Sequence, residues 1–173
     1  RLFRASVATL APMAKRVSVL FVCLGNICRS PTAEAVFSHL VEERGLSGRV
    51  EIDSAGTGSW HIGHPPDPRA VAAAKERGYD LSPLRARQVT AQECGEHDFV
   101  VVMDSENLAN VQRLCPESNV HRLMDFAPNL EVDDVPDPYY GDEDGFDEVL
   151  DLIEEATEGL LEAVEARLNG VDA

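Results

Sequence analysis

Apolar positions along the chain switch repeatedly between a short, strand-like run and a helical period. Val17, Val19, Leu20, Phe21 and Val22 form a compact apolar run rich in β-branched residues, which predicts a buried strand. Pro31 then sits at the first turn of a helix, where its missing N–H costs nothing. Ala33, Val36, Phe37, Leu40 and Val41 give that helix one apolar face, and Gly45 is a plausible stop. Val50 to Ala55 reads as a second strand. A loop rich in Gly and Pro over 56–68 leads to a helix near Pro68–Arg77, ended by Gly78. Phe99 to Met103 predicts a third buried strand, followed by a helix around Glu106–Leu114 and a fourth strand over Val120 to Met124. After a long loop carrying Pro128, Pro136 and Pro138, the residues Phe146, Val149, Leu150, Ile153, Leu160, Leu161, Val164 and Leu168 mark one face of a last helix ending near Gly170.

Strands alternating with helices imply an α/β fold with right-handed crossovers. The expected architecture is a single domain over 17–170, with a four-stranded parallel sheet in the flavodoxin-like order 2-1-3-4 and helices on both faces. Ligands of such sheets bind beyond the carboxyl ends of the strands, at the point where the strand order switches. The first strand ends near Cys23.

Composition narrows the function classes. The chain has 173 residues, 44% hydrophobic and 27% charged, an ordinary globular balance. No apolar run approaches the roughly 18 to 20 residues needed to span a bilayer, so no membrane partner is expected. With 31 acidic and 15 basic residues the net charge is −16, and residues 131–173 hold 16 carboxylates against the single base Arg167. Such a surface repels nucleic acid and obliges any anionic substrate to be captured by a local positive field. The acidic stretch itself reads as a solvated helix face. Residues 1–16 carry Arg1, Arg4, Lys15 and Arg16 with no acid. They are expected to be an extension outside the domain, either a cloning remnant with Met13 as the natural start or a transit-like segment. Four cysteines, Cys23, Cys28, Cys94 and Cys115, do not suggest a disulfide scaffold at this length, so a reducing, cytoplasmic setting is expected. A monomer or weak dimer is the expected state.

The chemistry concentrates in Cys23-Leu24-Gly25-Asn26-Ile27-Cys28-Arg29-Ser30, which joins the first strand to the first helix. Gly25 permits a positive φ, and Asn26 is of the few other residue types that tolerate one. A loop coiled this way turns backbone N–H groups inward as a nest for an anion, and the helix N-terminus adds its positive dipole end. Cys23 stands at the base of that cradle, where a helix N-terminus and an arginine favour its thiolate form. Arg29 offers a planar fork matching two phosphate oxygens. Ser30 is placed to donate to the Cys23 sulfur. A poor leaving group must also be protonated. The candidate is Asp137, in the rigid Asp137-Pro138-Tyr139-Tyr140-Gly141, where Asp133 and Asp134 are expected to crowd it and help keep it protonated.

The string Val22-Cys23-Leu24-Gly25-Asn26-Ile27-Cys28-Arg29-Ser30-Pro31-Thr32-Ala33-Glu34 resembles the signature of the low-molecular-weight protein tyrosine phosphatases. Asp137-Pro138-Tyr139-Tyr140-Gly141 is similar to the general-acid loop of that family. Asp53-Ser54-Ala55-Gly56-Thr57, Pro66-Asp67-Pro68-Arg69, Ala86-Arg87-Gln88 and Met103-Asp104 recur between them in order. The resemblance, over roughly Val17 to Leu168, implies a phosphocysteine intermediate on Cys23, a phosphate clamp at Arg29 and a general acid at Asp137. It implies a phosphate loop of Leu24 to Ser30, no metal or other cofactor, and phosphotyrosine-containing proteins as substrates. It also implies a strained Asn26 held by hydrogen bonds, with Ser30 and Ser54 in the network. One departure stands out: Leu84 occupies the place where members often carry a histidine, so the network around Asn26 is expected to be shorter or filled by water.

Trp60, in the loop after the second strand, is expected to wall a slot for a flat phenyl ring together with Tyr139 and Tyr140. Ile27 cannot hydrogen-bond a guanidinium, whereas related phosphoarginine phosphatases place a threonine there, which favours phosphotyrosine. Cys28 reads either as a small buried residue or as a resolving partner for Cys23. Two other activities share this fold. An arsenate reductase needs a relay of closely spaced cysteines, which Cys94 and Cys115 do not supply; a phosphoarginine phosphatase is the second.

Overall fold

The computed structural model describes residues 15–142 and 144–170. The basic N-terminal segment expected as an extension lies, through residue 14, outside the described residues.

The alternating pattern resolves into strands β1 (Val17–Cys23), β2 (Val50–Gly56), β3 (Phe99–Val102) and β4 (Val120–Arg122), and helices α1 (Arg29–Glu43), α2 (Pro68–Glu76), α3 (Ala91–Glu96), α4 (Ser105–Leu114) and α5 (Asp144–Leu168). All strand pairs are parallel, in the order β2-β1-β3-β4. This is the expected topology, with the switch point at the carboxyl end of β1.

The period-2 alternation of β1 explains the two layers. Val17, Val19, Phe21 and Cys23 face one side, against Ala33, Val36, Phe37 and Val41 of α1 and Val149, Leu150, Ile153, Leu160, Leu161 and Val164 of α5. Leu20 and Val22 face the other, with Val100, Val102, Cys94 of α3 and Val111 of α4. Helix α2 closes a third cluster, in which Ala70 and Ala74 pack with Ile27, Cys28, Leu81 and Phe146. Cys23 and the loop after it therefore emerge at the meeting point of α1, α2 and the sheet. Among the described residues no helix is long and apolar enough to cross a membrane.

Two elements depart from the sequence reading. The fourth strand stops at Arg122, because Leu123 and Met124 enter a 3-10 turn over Leu123–Phe126 that buries both side chains. That corner carries the chain under α5. The six-residue α3 was not expected; it is nucleated by a capping box in which the Thr90 hydroxyl accepts from the Glu93 N–H and the Glu93 side chain accepts from the Thr90 N–H.

Gly159 lies in the interior of α5, where glycine costs about 1 kcal/mol relative to alanine. Its absence of a side chain is required by packing: a Cβ there would fall on the Phe126 carbonyl oxygen of the 3-10 turn. Gly159→Ala should therefore destabilise the protein by about 1–3 kcal/mol in urea unfolding, despite the better helix propensity of alanine. A neutral or stabilised variant would show that the turn does not bear on α5 at this point.

Candidate active site

The loop between β1 and α1 is shaped by where its carbonyls go. Cys23 O accepts from Thr57 N (2.9 Å), Leu24 O from Gly58 N (2.9 Å) and Ile27 O from Asp67 N (2.8 Å). Cys28 O accepts from the Thr32 hydroxyl at 2.6 Å. With the carbonyls turned outward, the N–H groups from Leu24 to Arg29 have no main-chain acceptor among the described residues. The α1 N-terminus carries neither a side-chain cap nor an acid in its first turn. Free N–H groups and a positive dipole end together form an anion nest. Close approach of β2 is needed as well: a Cβ on Gly56 would stand 2.7 Å from Leu24 O.

Asn26 takes the left-handed conformation that turns the loop, at φ 57. Its side chain is fully engaged. The amide nitrogen donates to Ser30 Oγ (2.8 Å) and Ser54 Oγ (3.0 Å), and the amide oxygen accepts from Arg87 N (3.0 Å). Ser30 Oγ in turn lies 2.9 Å from Cys23 Sγ. The network does not end at Ser54. The Ser54 hydroxyl donates to Glu34 Oε1 at 2.6 Å, so a carboxyl group on α1 terminates a network that was expected to be short or water-filled beside Leu84. Burial, opposed by the Ser54 hydrogen bond, raises the Glu34 pKa above the usual glutamate value.

Arg29 is buried beneath the loop. Its Nη1 donates to Asp104 Oδ2 (2.6 Å) and to Val135 O (3.0 Å), and its Nη2 lies 3.6 Å from Asp137 Oδ2. Burial opposes its charge, but Cys23, Asp104 and Asp137 more than offset this and raise its pKa above the ordinary arginine value. Asp137 Oδ1 accepts from Tyr139 N at 3.1 Å, which fixes the carboxylate at the mouth. Asp134 is not directed at Asp137 as expected: it accepts from the N–H and hydroxyl of Ser105 and faces Arg122, because the start of α4 lies beside it.

Cys23, Leu24, Gly25, Ile27, Cys28, Arg29, Trp60, Asp137, Tyr139 and Tyr140, all singled out in the sequence, line one cleft of about 360 Å³, with His61 in addition. Asn26, Ser30 and Ser54 are buried around it. Trp60 and Tyr140 are exposed at its rim, at 69% and 92%. Cys28 packs with Ile27, Ala70 and Phe146, and burial followed by the charge of Asp67 pushes its thiol far up, holding it protonated. Among the described residues no group of three or more His, Cys, Asp or Glu is placed to hold a metal ion.

Three groups escaped the sequence reading in their roles. Asp104 both caps α4, accepting from Asn107 N at 2.7 Å, and braces Arg29. Its position between a buried strand and a helix was a legible capping signal. Asp67 holds Arg69 through Oδ1 and Oδ2, and Arg69 Nη2 donates to Tyr139 O at 2.9 Å. Since Asp67 N binds Ile27 O, this pair ties the anion loop to the Asp137 loop. The third is Glu34.

A model of the family described as low molecular weight phosphotyrosine protein phosphatase matches residues 18–169. The chain belongs to this family. It is 46% identical over 158 residues to a low molecular weight protein-tyrosine-phosphatase of Streptomyces coelicolor, covering 88% of this chain and 96% of that one. The crystal structure of YfkJ from Bacillus subtilis superposes with a TM-score of 0.84 at 40% identity, covering 88% of this chain and 97% of that chain. The structure of DARP, a Drosophila arginine phosphatase, superposes at 0.77 with 33% identity, covering 83% and 95%. The family membership makes the chain a phosphomonoester hydrolase acting on phosphoproteins, and the shared fold leaves the choice of phosphoresidue to the lining of the cleft.

Glu34 yields a test of the network. A carboxyl whose folded pKa is raised contributes stability that is present below its ordinary value and lost as pH rises through the folded one. The amide introduced by Glu34→Gln would keep an oxygen acceptor for Ser54 without that loss. The unfolding free energy of Glu34→Gln relative to the parent should therefore rise as pH increases from 4 toward neutrality, measured by urea titration. A difference that does not change with pH would mean that Glu34 is as well solvated in the fold as in the unfolded chain.

Proposed function

We propose that the protein is a protein tyrosine phosphatase working through a phosphocysteine intermediate, with Cys23 as nucleophile, Arg29 as phosphate clamp and Asp137 as general acid. The observation that carries this reading is the convergence on one cleft of Cys23 Sγ, the unpaired N–H groups of Leu24 to Arg29, and Asp137 Oδ2, 3.6 Å from Arg29 Nη2.

A phosphate dianion seated in the nest would meet the N–H groups of residues 24–29 on its equatorial oxygens, and Arg29 would track those oxygens as charge spreads over them. The Cys23 thiolate attacks phosphorus; the S–P bond forms while the P–O bond to the tyrosine breaks. The electron pair leaves on the phenolic oxygen, which takes the proton of Asp137. Water then attacks the phosphocysteine and gives a proton to the Asp137 carboxylate. The S–P bond breaks, the pair returns to sulfur, and the Ser30 hydroxyl at 2.9 Å stabilises it. Inorganic phosphate departs. Ser54 supports this arrangement indirectly, through Asn26.

Ile27 at the cleft wall supports phosphotyrosine over phosphoarginine, since it presents no acceptor to a guanidinium. Trp60, Tyr139 and Tyr140 supply the aromatic walls for a phenyl ring. The four free thiols fit a reducing, cytoplasmic setting.

Hydrolysis of para-nitrophenyl phosphate and of a phosphotyrosine peptide, without added metal, tests the assignment. Cys23→Ser should abolish turnover. Asp137→Ala should lower kcat about 10²- to 10⁴-fold on the peptide. A phosphoarginine peptide should be the poorer substrate. No turnover by the reduced parent would overturn the reading, and preferential hydrolysis of phosphoarginine would move it to the arginine phosphatases.

A further inference from the structure

On the far side of Trp60 from the phosphate cleft lies a second groove, of about 380 Å³, which no step above uses. Leu24, Trp60, Val89 and Leu114 give it apolar surface, and Gln88 and Asn110 add polar groups. Its one charged lining residue is Glu106. Glu106, Asn110 and Leu114 recur every fourth residue along α4, so one helix face makes a whole wall.

Leu24 and Trp60 line both cavities. The two cavities therefore adjoin at these side chains. Neighbouring residues of an extended chain lie roughly 3.3–3.6 Å apart per position, so a residue one or two places from a phosphotyrosine reaches across an indole ring. The groove is thus continuous with the substrate cleft, and a bound protein segment is its natural occupant.

Its chemistry selects a cation with an apolar stem. Leu24 and Leu114 remain exposed at 36% and 41%, and Trp60 at 69%, although all three border a channel that could cover them. A long aliphatic stem would shield that surface while its charged head stays at the polar end. An indole ring attracts a cation placed over its face. Glu106 is exposed and, among the described residues, has no ion-pair partner. At contact distance the Glu106 carboxylate disfavours an acidic neighbour in the groove.

We propose that this groove is a specificity subsite that receives an arginine or lysine side chain flanking the phosphotyrosine of a protein substrate. The proposal rests on the phosphatase reading above. The phosphate loop supplies the chemistry and the groove reads the sequence next to it.

The test uses phosphotyrosine peptides in an alanine-rich host, with Arg, Ala or Glu placed singly at each of the two positions on either side. Each kcat/KM is divided by the same enzyme's value on para-nitrophenyl phosphate, which has no flanking residue. At one or more positions the parent should favour Arg over Ala about five-fold and disfavour Glu. Glu106→Gln should remove that preference, and Glu106→Arg should reverse it toward Glu. A parent that hydrolyses every peptide equally, or a preference for Arg that survives in both variants, would overturn the subsite while leaving the phosphatase reading intact. Failure to hydrolyse para-nitrophenyl phosphate as well as the peptides would remove both.

Discussion

Asn26 carries a backbone conformation that a non-glycine residue rarely adopts, and the direction of every N–H in the anion loop follows from it. At φ 57 the chain reverses between Leu24 and Arg29, so carbonyls face out toward Thr57, Gly58 and Asp67 and the amides face in. Such a residue costs of order 1–3 kcal/mol unless its surroundings over-determine it. Here they do: three hydrogen bonds to the Asn26 side chain, each worth about 1 kcal/mol net, offset the strain. Asn26 Nδ2 forks to two serines, and each serine has one proton left to give. Ser54 directs its proton at Glu34, which obliges it to accept from Asn26. Ser30, which also accepts from Asn26, has one proton to share between the Cys23 sulfur at 2.9 Å and the Ala55 carbonyl at 3.4 Å. The network thus runs from the carboxyl on α1 through Ser54, Asn26 and Ser30 to the Cys23 sulfur.

The second constraint is electrostatic. In a chain with a net charge of −16, the positive charge that lines the cleft is one buried arginine. Arg29 could not be held there alone, because an unpaired buried charge is costly. Asp104 and the Val135 carbonyl satisfy one end of the guanidinium, and Asp137 stands beside the other. The remote carboxylates of α5 matter less than their number suggests. At physiological ionic strength exposed charges more than about 8 Å away are largely screened, whereas the nest acts at contact.

Much of this was legible along the chain because it is local. The β-branched run before Cys23, the 3.6-residue period of α5, and the loop that must turn at Gly25 and Asn26 are all properties of consecutive residues. The fourth strand misled because Leu123 and Met124 are apolar in either conformation; burial under α5 explains them as well as a strand does. Helix α3 was passed over although its capping box is written in Thr90 and Glu93, because six residues hold too short a period to see. What could not be read are pairings across the sheet. Arg29 meets Asp104 75 positions away only because β1 and β3 are neighbours, and Asp134 turns from Asp137 to Ser105 because its loop runs past the end of β3 and the start of α4. Glu34 falls between these cases: it lies in the recognised string, yet its partner on β2 emerges only with the fold.

The division of labour between the two loops at the switch point follows from how each is fixed. The β1–α1 loop is locked by hydrogen bonds from its own carbonyls and from Asn26, so its geometry tolerates little change. The loop after β2 is held differently. A Cβ on Gly58 would overlap the Trp60 ring, so the indole occupies space that any other residue at 58 would take. Trp60 is positioned by that vacancy and by little else, since most of its surface is open. A wall set in this way can be exchanged without disturbing Cys23, Arg29 or the amides between them. Trp60 and the exposed face of α4 therefore stand apart from this bonded framework, whereas Cys23 and Arg29 are buried within it and Asp137 lies exposed at its mouth. The same reasoning places Tyr139 in between, because Arg69 binds its carbonyl and stacks on its ring, and so couples the position of the acid loop to the anion loop through Asp67.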